Sequence, residues 1–510
     1  MNRFIPPIHR PHPPKSQSMT LNRPTVLLLQ FLSGAAAVIA FAPLSQAWVL
    51  LISLWVLFYG WQQAGSARRA LLPSFIWGLG YFIGNASWIY ISLHTHGNMP
   101  APLAATAVFL FAAYLALFPM LAGWLTWRLP CPEKWRFTLL APTLFLLTEW
   151  LRGWLFTGFP WASIGSAYID WLGGLYPIIG TYGAGWLVAL CVSIFLVDKR
   201  FALGLAIAVI STSSLLSQIT WTQPMGEPVK VSVLQGNIEQ SMKWNSAFYM
   251  QSLENYLKLT QQAKGQLILM PETAIPSFFK DIPAWYVEEL RAAAAAKSAT
   301  LLLGVATQGE NPQHYYNSVV NLAQPDATPY GKSHLVPFGE HIPLPWLFGS
   351  IYKVLDMPLS GFQRAPLAQA PFDIVGGKVA ANVCYEDVFG DEIRVNAANA
   401  TLLANFTNMA WFDGSWAAEQ HAQMARARAL ENGRYLIRAT NTGKTAIINP
   451  KGQFVAVLAP EQTGILEGEV RHMQGTTPYQ WAGDKPVIGL MFGILLLAGI
   501  LQRRRKKGDF

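Results

Sequence analysis

Over its first 220 residues the chain is built from long apolar runs separated by short polar segments. Runs at 25–42, 48–61, 71–93, 102–127, 137–156, 172–197 and 201–219 are followed by an eighth at 486–501. Most approach the roughly 20 residues that a helix needs to cross a bilayer; the second is the shortest. From about residue 221 the pattern changes, and short apolar runs alternate with amphipathic ones. Residues 229–235, 266–270, 301–306, 379–384, 401–406, 435–440 and 445–449 read as strands, and 248–264, 284–297 and 416–432 as helices. Pro283 precedes the second of these helices, as proline at a first turn can. Repeated strand–helix units predict a layered α/β domain, with no repeat visible in the sequence. The expected fold is an α-helical polytopic membrane domain of about eight transmembrane helices joined to this α/β domain. Its divisions are a Pro-rich basic tail (1–24), seven membrane helices (25–220), the α/β domain (221–484), a last membrane helix (485–502) and a second basic tail (503–510).

Composition excludes an ordinary soluble protein. Hydrophobic residues make up 52% of the chain and charged ones 13%, about half the charged share of a soluble domain. The net charge of +9 raises the question of a nucleic-acid partner, and its distribution answers it. Residues 221–484 hold 19 Lys and Arg against 23 Asp and Glu, whereas the rest of the chain holds 18 against 5. The excess base flanks the apolar runs, so no nucleic acid is expected. It also alternates. Arg23, the pair Arg68 and Arg69, the group Arg128, Lys134 and Arg136, the pair Lys199 and Arg200, and Arg503 to Lys507 mark one side, while the loops 43–47, 94–101 and 157–171 contain no Lys or Arg. By the positive-inside rule both termini are cytoplasmic and the α/β domain lies outside. In a Gram-negative cell that is the periplasmic face of the inner membrane.

Three cysteines give no disulfide framework. Cys191 falls inside an apolar run and Cys131 in a short loop, but Cys384 ends a predicted strand and is followed by Glu386 and Asp387. Glu272 comes just after strand 266–270, and Lys332 heads a block of mixed chemistry that ends at Glu340. A free thiol is only a few per cent thiolate at neutral pH. A carboxylate can take its proton, and an ammonium can stabilise the thiolate and then a tetrahedral oxyanion. His334 and His421 have no acid partner assignable from sequence, so a serine-type triad is not predicted. No metal-ligand spacing is present, and no metal or cofactor is expected.

The order Glu272, Lys332, Cys384, with the acid and the thiol each ending an apolar strand, resembles the nitrilase superfamily. The flanking membrane runs resemble its membrane-embedded branch, the apolipoprotein N-acyltransferases. The resemblance implies a four-layer αββα sandwich and a catalytic trio of Glu272, Lys332 and Cys384. It also implies supporting or substrate-binding roles for Glu340, Tyr385, Glu386 and Trp244. The implied reaction moves an acyl chain from a phospholipid donor, through a cysteine thioester, to the α-amine of a diacylglyceryl-apolipoprotein. The alternative is a membrane-tethered carbon–nitrogen hydrolase that passes its thioester to water; a binding or transport protein with a decayed domain is a third reading, against which all three residue types speak.

Other features of the sequence remain. Glu149 and Arg152, three apart in the fifth run, are spaced to pair on one helix face, and ionisable groups at that depth are either functional or a helix-end pair. The aromatic stretch 153–161 that follows resembles the same family and is a candidate lipid route. Arg426, Arg428, Glu431 and Asn432 share one helix and are expected to form ion pairs that hold the fold. Residues 341–360 are too short and too broken by proline to span a bilayer, yet unusually apolar. They are expected either to dip into the outer leaflet as a moving arm, with Trp346 and Tyr352 at headgroup level, or to fold back as core.

Overall fold

The computed structural model describes residues 23–243, 246–311, 313–343, 346 and 361–507. Trp244, Tyr352 and most of the expected arm therefore lie outside the described residues, as does the tail before Arg23.

Among the described residues, six helices are long and apolar enough to cross a membrane: Arg23–Ala40, Ala47–Ala64, Ala101–Arg128, Ile164–Phe195, Lys199–Leu216 and Lys485–Arg504. The other two apolar runs are also helical. One forms Ala67–Ala86, which packs between the first of these helices and Ala101–Arg128. The other is shorter than its sequence suggests, a 12-residue helix Ala141–Arg152 entered through a wide turn at Arg136–Leu140. It ends at Gly153, and the chain re-enters as the loop 153–161. Glu149 and Arg152 make that possible. The Ile164 amide donates to both Glu149 carboxylate oxygens at 3.2 and 3.3 Å, and Arg152 donates to the carbonyls of Phe159 and Trp161, the latter at 3.0 Å. Irregular backbone at membrane depth survives only where its polar groups find partners. The two side chains thus bond the loop, and among the described residues no ion pair joins them, contrary to the expected pairing.

The α/β part contains twelve strands: β1 Thr222–Gln235, β2 Leu267–Met270, β3 Thr300–Gln308, β4 Tyr315–Asn321, β5 Tyr330–Gly331, β6 Phe372–Ile374, β7 Gly377–Val383, β8 Leu402–Thr407, β9 Leu436–Thr440, β10 Thr445–Ile448, β11 Phe454–Leu458 and β12 Gly464–Gly475. They form two six-stranded sheets, ordered β12-β1-β2-β3-β4-β5 and β11-β10-β9-β8-β7-β6. In each, three central strands are parallel, β1-β2-β3 and β7-β8-β9, and the outer pairs are antiparallel.

Strand alternation builds the layers. Val231 and Val233, Leu267 and Leu269, Leu402, Ala404 and Ile437 meet between the sheets. On the outer face of the first sheet, Leu234, Ile268, Met270 and Leu303 pack on Leu253 and Tyr256 of helix Tyr249–Gln262 and on Leu290 of helix Ala284–Ala295. On the outer face of the second, Ala380, Leu403 and Leu436 pack on Ile393 of helix Gly390–Ala397 and on Ala425 and Ala429 of helix Ala417–Asn432. The central strands are apolar on both faces because both are covered. The result is the expected αββα sandwich.

The second sheet's outer helix also meets the membrane helices. Gly180, at φ +61°, kinks helix Tyr176–Phe195; a Cβ there would lie 2.2 Å from the Tyr479 ring. The kink frees the Thr181 amide, which with its hydroxyl donates to Glu431 at 3.0 and 2.8 Å. Arg428 bridges the same carboxylate at 2.8 Å and the Thr181 hydroxyl at 2.9 Å, and Arg426 pairs with Asp170. These are the ion pairs expected of that helix, one internal and one reaching into the membrane region.

Candidate active site

Strand β2 ends at Met270 and the chain turns through Pro271 and Glu272. Gly304 of β3 lets that turn sit close: a Cβ at 304 would stand 2.3 Å from the Pro271 carbonyl and 2.8 Å from the Glu272 Cα. Glu272 is buried. Its Oε1 accepts from Asn317 Nδ2 at 2.6 Å and its Oε2 from the Asn408 amide at 2.7 Å. Lys332, the residue that follows β5, is 1% exposed. Its Nζ donates to Glu340 Oε1 at 2.8 Å and lies 3.8 Å from Glu272 Oε1. Asn317 Nδ2 closes the cluster with a second bond, 3.0 Å to Glu340 Oε1, and the Val336 amide holds Glu340 Oε2 at 2.8 Å. Burial pushes the lysine down, but the two carboxylates outweigh it and hold the ammonium well above its ordinary value. Lys332 is therefore a fixed positive charge.

Cys384 follows β7 with φ +53°, a left-handed conformation uncommon for a residue with a side chain. The turn is held by Glu386. Its Oε2 accepts from the Val383 amide at 2.6 Å and the Tyr330 hydroxyl at 2.8 Å. Its Oε1 accepts from the Ser333 amide at 2.6 Å, the Ser333 hydroxyl at 2.7 Å and the His334 amide at 3.1 Å. One buried carboxylate thus ties the cysteine turn to the lysine segment, and such networks offset local backbone strain. Beneath it, Asn405 Nδ2 donates to the Cys384 carbonyl at 3.1 Å. Arg438 donates to Asn405 at 3.3 Å and to Asp387 at 2.5 Å. Cys384 is partly exposed, but burial of its sulfur and the Glu272 charge push the thiol up to about 12, against the pull of Lys332. At rest it is a thiol, not a thiolate.

Two expectations about histidine are corrected. His421 Nε2 lies 2.5 Å from Asp387 Oδ1, and His334 Nδ1 lies 3.0 Å from Glu392 Oε1. Both acids follow in the chain after the cysteine, in positions that no helix or strand periodicity links to either histidine. Among the described residues, no serine hydroxyl is hydrogen-bonded to either imidazole.

Three residues of the cluster went unremarked in the sequence. Asn317 sits on β4, a strand whose polar composition hides it. Asn408 acts through its backbone amide, which leaves no sequence signal. Lys243, in the stretch before Trp244, is 2% exposed; its Nζ donates to Thr273 Oγ1 at 2.7 Å and to the Glu272 carbonyl at 3.3 Å. Burial pulls it down to about 8, opposed by Glu272 and Cys384. Tyr385 points away from the carboxylates: its hydroxyl donates to the Gly158 carbonyl at 3.1 Å, in the re-entrant loop. Next to it, Trp161 stacks on His421 and donates to Gln420 at 2.8 Å. Trp346 is 81% exposed.

Residues 33–194 match the family described as Apolipoprotein N-acyltransferase N-terminal domain, and residues 230–479 match the Carbon-nitrogen hydrolase family. A relative from Chromobacterium violaceum named "Apolipoprotein N-acyltransferase" is 42% identical over 95% of this chain and 95% of its own. Another so named, from Nitrosomonas europaea, is 41% identical over 93% of this chain and 97% of its own. The chain belongs to the apolipoprotein N-acyltransferase family. Its α/β part is the carbon–nitrogen hydrolase domain and its apolar helices are those of a membrane-bound acyltransferase. A solved carbon-nitrogen hydrolase from Helicobacter pylori G27 is a more distant likeness, 18% identical, covering 48% of this chain and 89% of that one with a TM-score of 0.37.

Proposed function

We propose that the protein transfers a fatty acyl chain from a membrane phospholipid, by way of a thioester on Cys384, to the α-amine of the N-terminal S-diacylglyceryl-cysteine of apolipoproteins. The observation that carries this reading is the Tyr385–Gly158 bond, because the residue beside the cysteine is docked on the loop that re-enters the membrane region. Exposing a sixteen-carbon chain to water would cost on the order of 12 kcal/mol. A cysteine at that junction meets the lipid without doing so.

In this mechanism Glu272 takes the Cys384 proton as sulfur attacks the ester carbonyl, which keeps the thiol neutral until substrate arrives. Lys332, fixed by Glu340, faces the developing oxyanion. The ester C–O bond breaks, the lysophospholipid oxygen takes the proton from Glu272, and the acyl chain stays on sulfur. The acceptor α-amine, with an ordinary pKa near 8, attacks in its neutral form. Glu272 accepts its surplus proton and delivers it to the sulfur as the C–S bond breaks, which returns the thiol and the carboxylate. Glu386 and Tyr385 position the cysteine turn in this scheme. In this reading, with the divisions 1–24, 25–220, 221–484, 485–502 and 503–510, both termini are cytoplasmic and the sandwich lies on the periplasmic face of the inner membrane, which the alternation of basic loops supports.

Intact-mass analysis tests the reading. With phospholipid alone the protein is expected to gain one acyl chain, lost in Cys384→Ala, Glu272→Gln and Lys332→Ala. Adding a diacylated lipopeptide should discharge it as triacylated peptide. Free fatty acid as the main product would instead establish the hydrolase.

A further inference from the structure

Beside the lysine segment lies a cavity of about 450 Å³, walled by Thr157 of the re-entrant loop, by His334 and His341, and by Phe362 and Arg364. Part of its polar lining is unsatisfied. Among the described residues, Thr157 Oγ1, His334 Nε2 and His341 Nδ1 are buried without a hydrogen-bond partner, although buried polar atoms are normally paired. His334 is 6% exposed and its ring cannot turn to find one. Glu392 holds Nδ1 at 3.0 and 3.1 Å, and Phe389 stacks on the ring with centroids 3.7 Å apart. Arg364 stands at the exposed rim with its Nε donating to the Ser333 carbonyl at 2.5 Å. Among the described residues its terminal nitrogens make no hydrogen bond, and no carboxylate pairs with it.

The two carboxylates that adjoin the cavity already have partners. Glu392 is taken by His334, and Glu340 by Lys332, Asn317 and the Val336 amide. His341 is pushed down by burial first and further by His334 and Arg364, with Glu340 and a hydrogen bond to the Val336 backbone opposing. A guanidinium fork, two imidazoles and a hydroxyl converging on one space match the oxygens of a phosphate. The place is suited to a lipid phosphate. Thr157 follows Trp154 and Phe156, which are 52% and 71% exposed, as rings at headgroup level are. Two peptide units separate Lys332 from His334, so their Cα atoms are at most about 7 Å apart.

We propose that this cavity binds the phosphodiester of the acyl donor's headgroup, through Arg364, His341, His334 and Thr157, and so sets the ester beside Cys384. The proposal rests on the phospholipid-donor reading above and adds a subsite to it.

The test uses the full-length protein in detergent and two acyl donors, a diacyl phospholipid and p-nitrophenyl palmitate, which has no phosphate. The ratio of their acyl-adduct rates on Cys384 is expected to fall about tenfold to a hundredfold in Arg364→Ala, the loss of a charge-assisted bond, and to recover in part in Arg364→Lys. An unchanged ratio would overturn the subsite, whether both rates hold or both fall together. A second measurement does not depend on donor chemistry. In protein labelled with ¹⁵N-histidine, sn-glycero-3-phosphoethanolamine should shift the His334 and His341 ring signals in wild type and not in Arg364→Ala. If those signals do not move, the subsite is wrong. If inorganic phosphate moves them and the glycerophosphodiester does not, the site is a free-anion site and the headgroup assignment falls. If the phosphodiester binds while wild type takes acyl chains only from the nitrophenyl ester, the donor reading fails and the anion site stands.

Discussion

The effect of the Glu272 charge on the Cys384 thiol separates charge from catalysis. The Glu272 carboxylate raises the thiol, so Glu272→Gln should bring it down. Alkylation of Cys384 by iodoacetamide at pH 9 is then expected to be faster in Glu272→Gln than in wild type, while acyl-adduct formation is lost. Slower alkylation would mean that the carboxylate does not face the sulfur. Lys243 gives a second prediction. Its folded value of about 8 lies below the ordinary 10.5, so the folded state releases this proton first. The cost is present in full below pH 8 and is relieved as pH rises to 10.5, an effect on the order of 3 kcal/mol. Thermal unfolding in a Cys384→Ala background should show stability rising between pH 8 and 10, and Lys243→Met should flatten that rise. The background matters because the raised thiol slopes the other way between 9 and 12.

At the scale of elements, the turn after β2 depends on a neighbour that contributes no functional group. Gly304→Ala would put a methyl within 2.3 Å of the Pro271 carbonyl. Backbone there must shift, at a cost of about 1–3 kcal/mol. We expect the protein to fold with a lowered melting temperature and an adduct rate reduced by about 10²-fold, since small misplacements of a reacting group cost that much. A normal rate would show that the turn has room to spare. Elements also divide by how visible they were. The central strands β1, β2, β3, β7, β8, β9 and β10 were legible as apolar runs. Unread were β5, β6, β11 and β12, the edges of the two sheets, together with β4 beside one edge. An edge strand has one partner and one open side, so it carries less apolar sequence. The like order of pairings in both sheets left no repeat in the chain, because packing constrains which residues are apolar and not which they are.

The whole molecule joins a membrane region to a sandwich through polar contacts. Arg428, Glu431 and Thr181 meet at the Gly180 kink, and Ala42 donates its amide to Gln423 at 2.9 Å. Helix Lys485–Lys507 then returns the chain to the bilayer, running into the expected basic tail. On the proposed topology, single cysteines at Ser66 and Gln502 should resist an impermeant thiol reagent in intact spheroplasts, and cysteines at Asn98 and Asn311 should react. Labelling at Gln502 without lysis would put the sandwich in the cytoplasm.

What the sequence determined by itself was whatever is local or periodic: the apolar runs, the buried strands, the alternation of basic loops, the acid and the thiol at strand ends, and the lysine at the head of its mixed block. Burial writes itself into the chain as a repeat, and chemistry as a residue type next to that repeat. Tertiary structure alone decided which distant groups meet. The Asn317 bridge, the Asn408 amide on Glu272, four of the five bonds of Glu386, the partners of His334 and His421, and the polar cavity join segments from tens of residues to more than a hundred apart. Polar contacts between such segments require only a donor, an acceptor and a fold that brings them together, and no local pattern records the pairing.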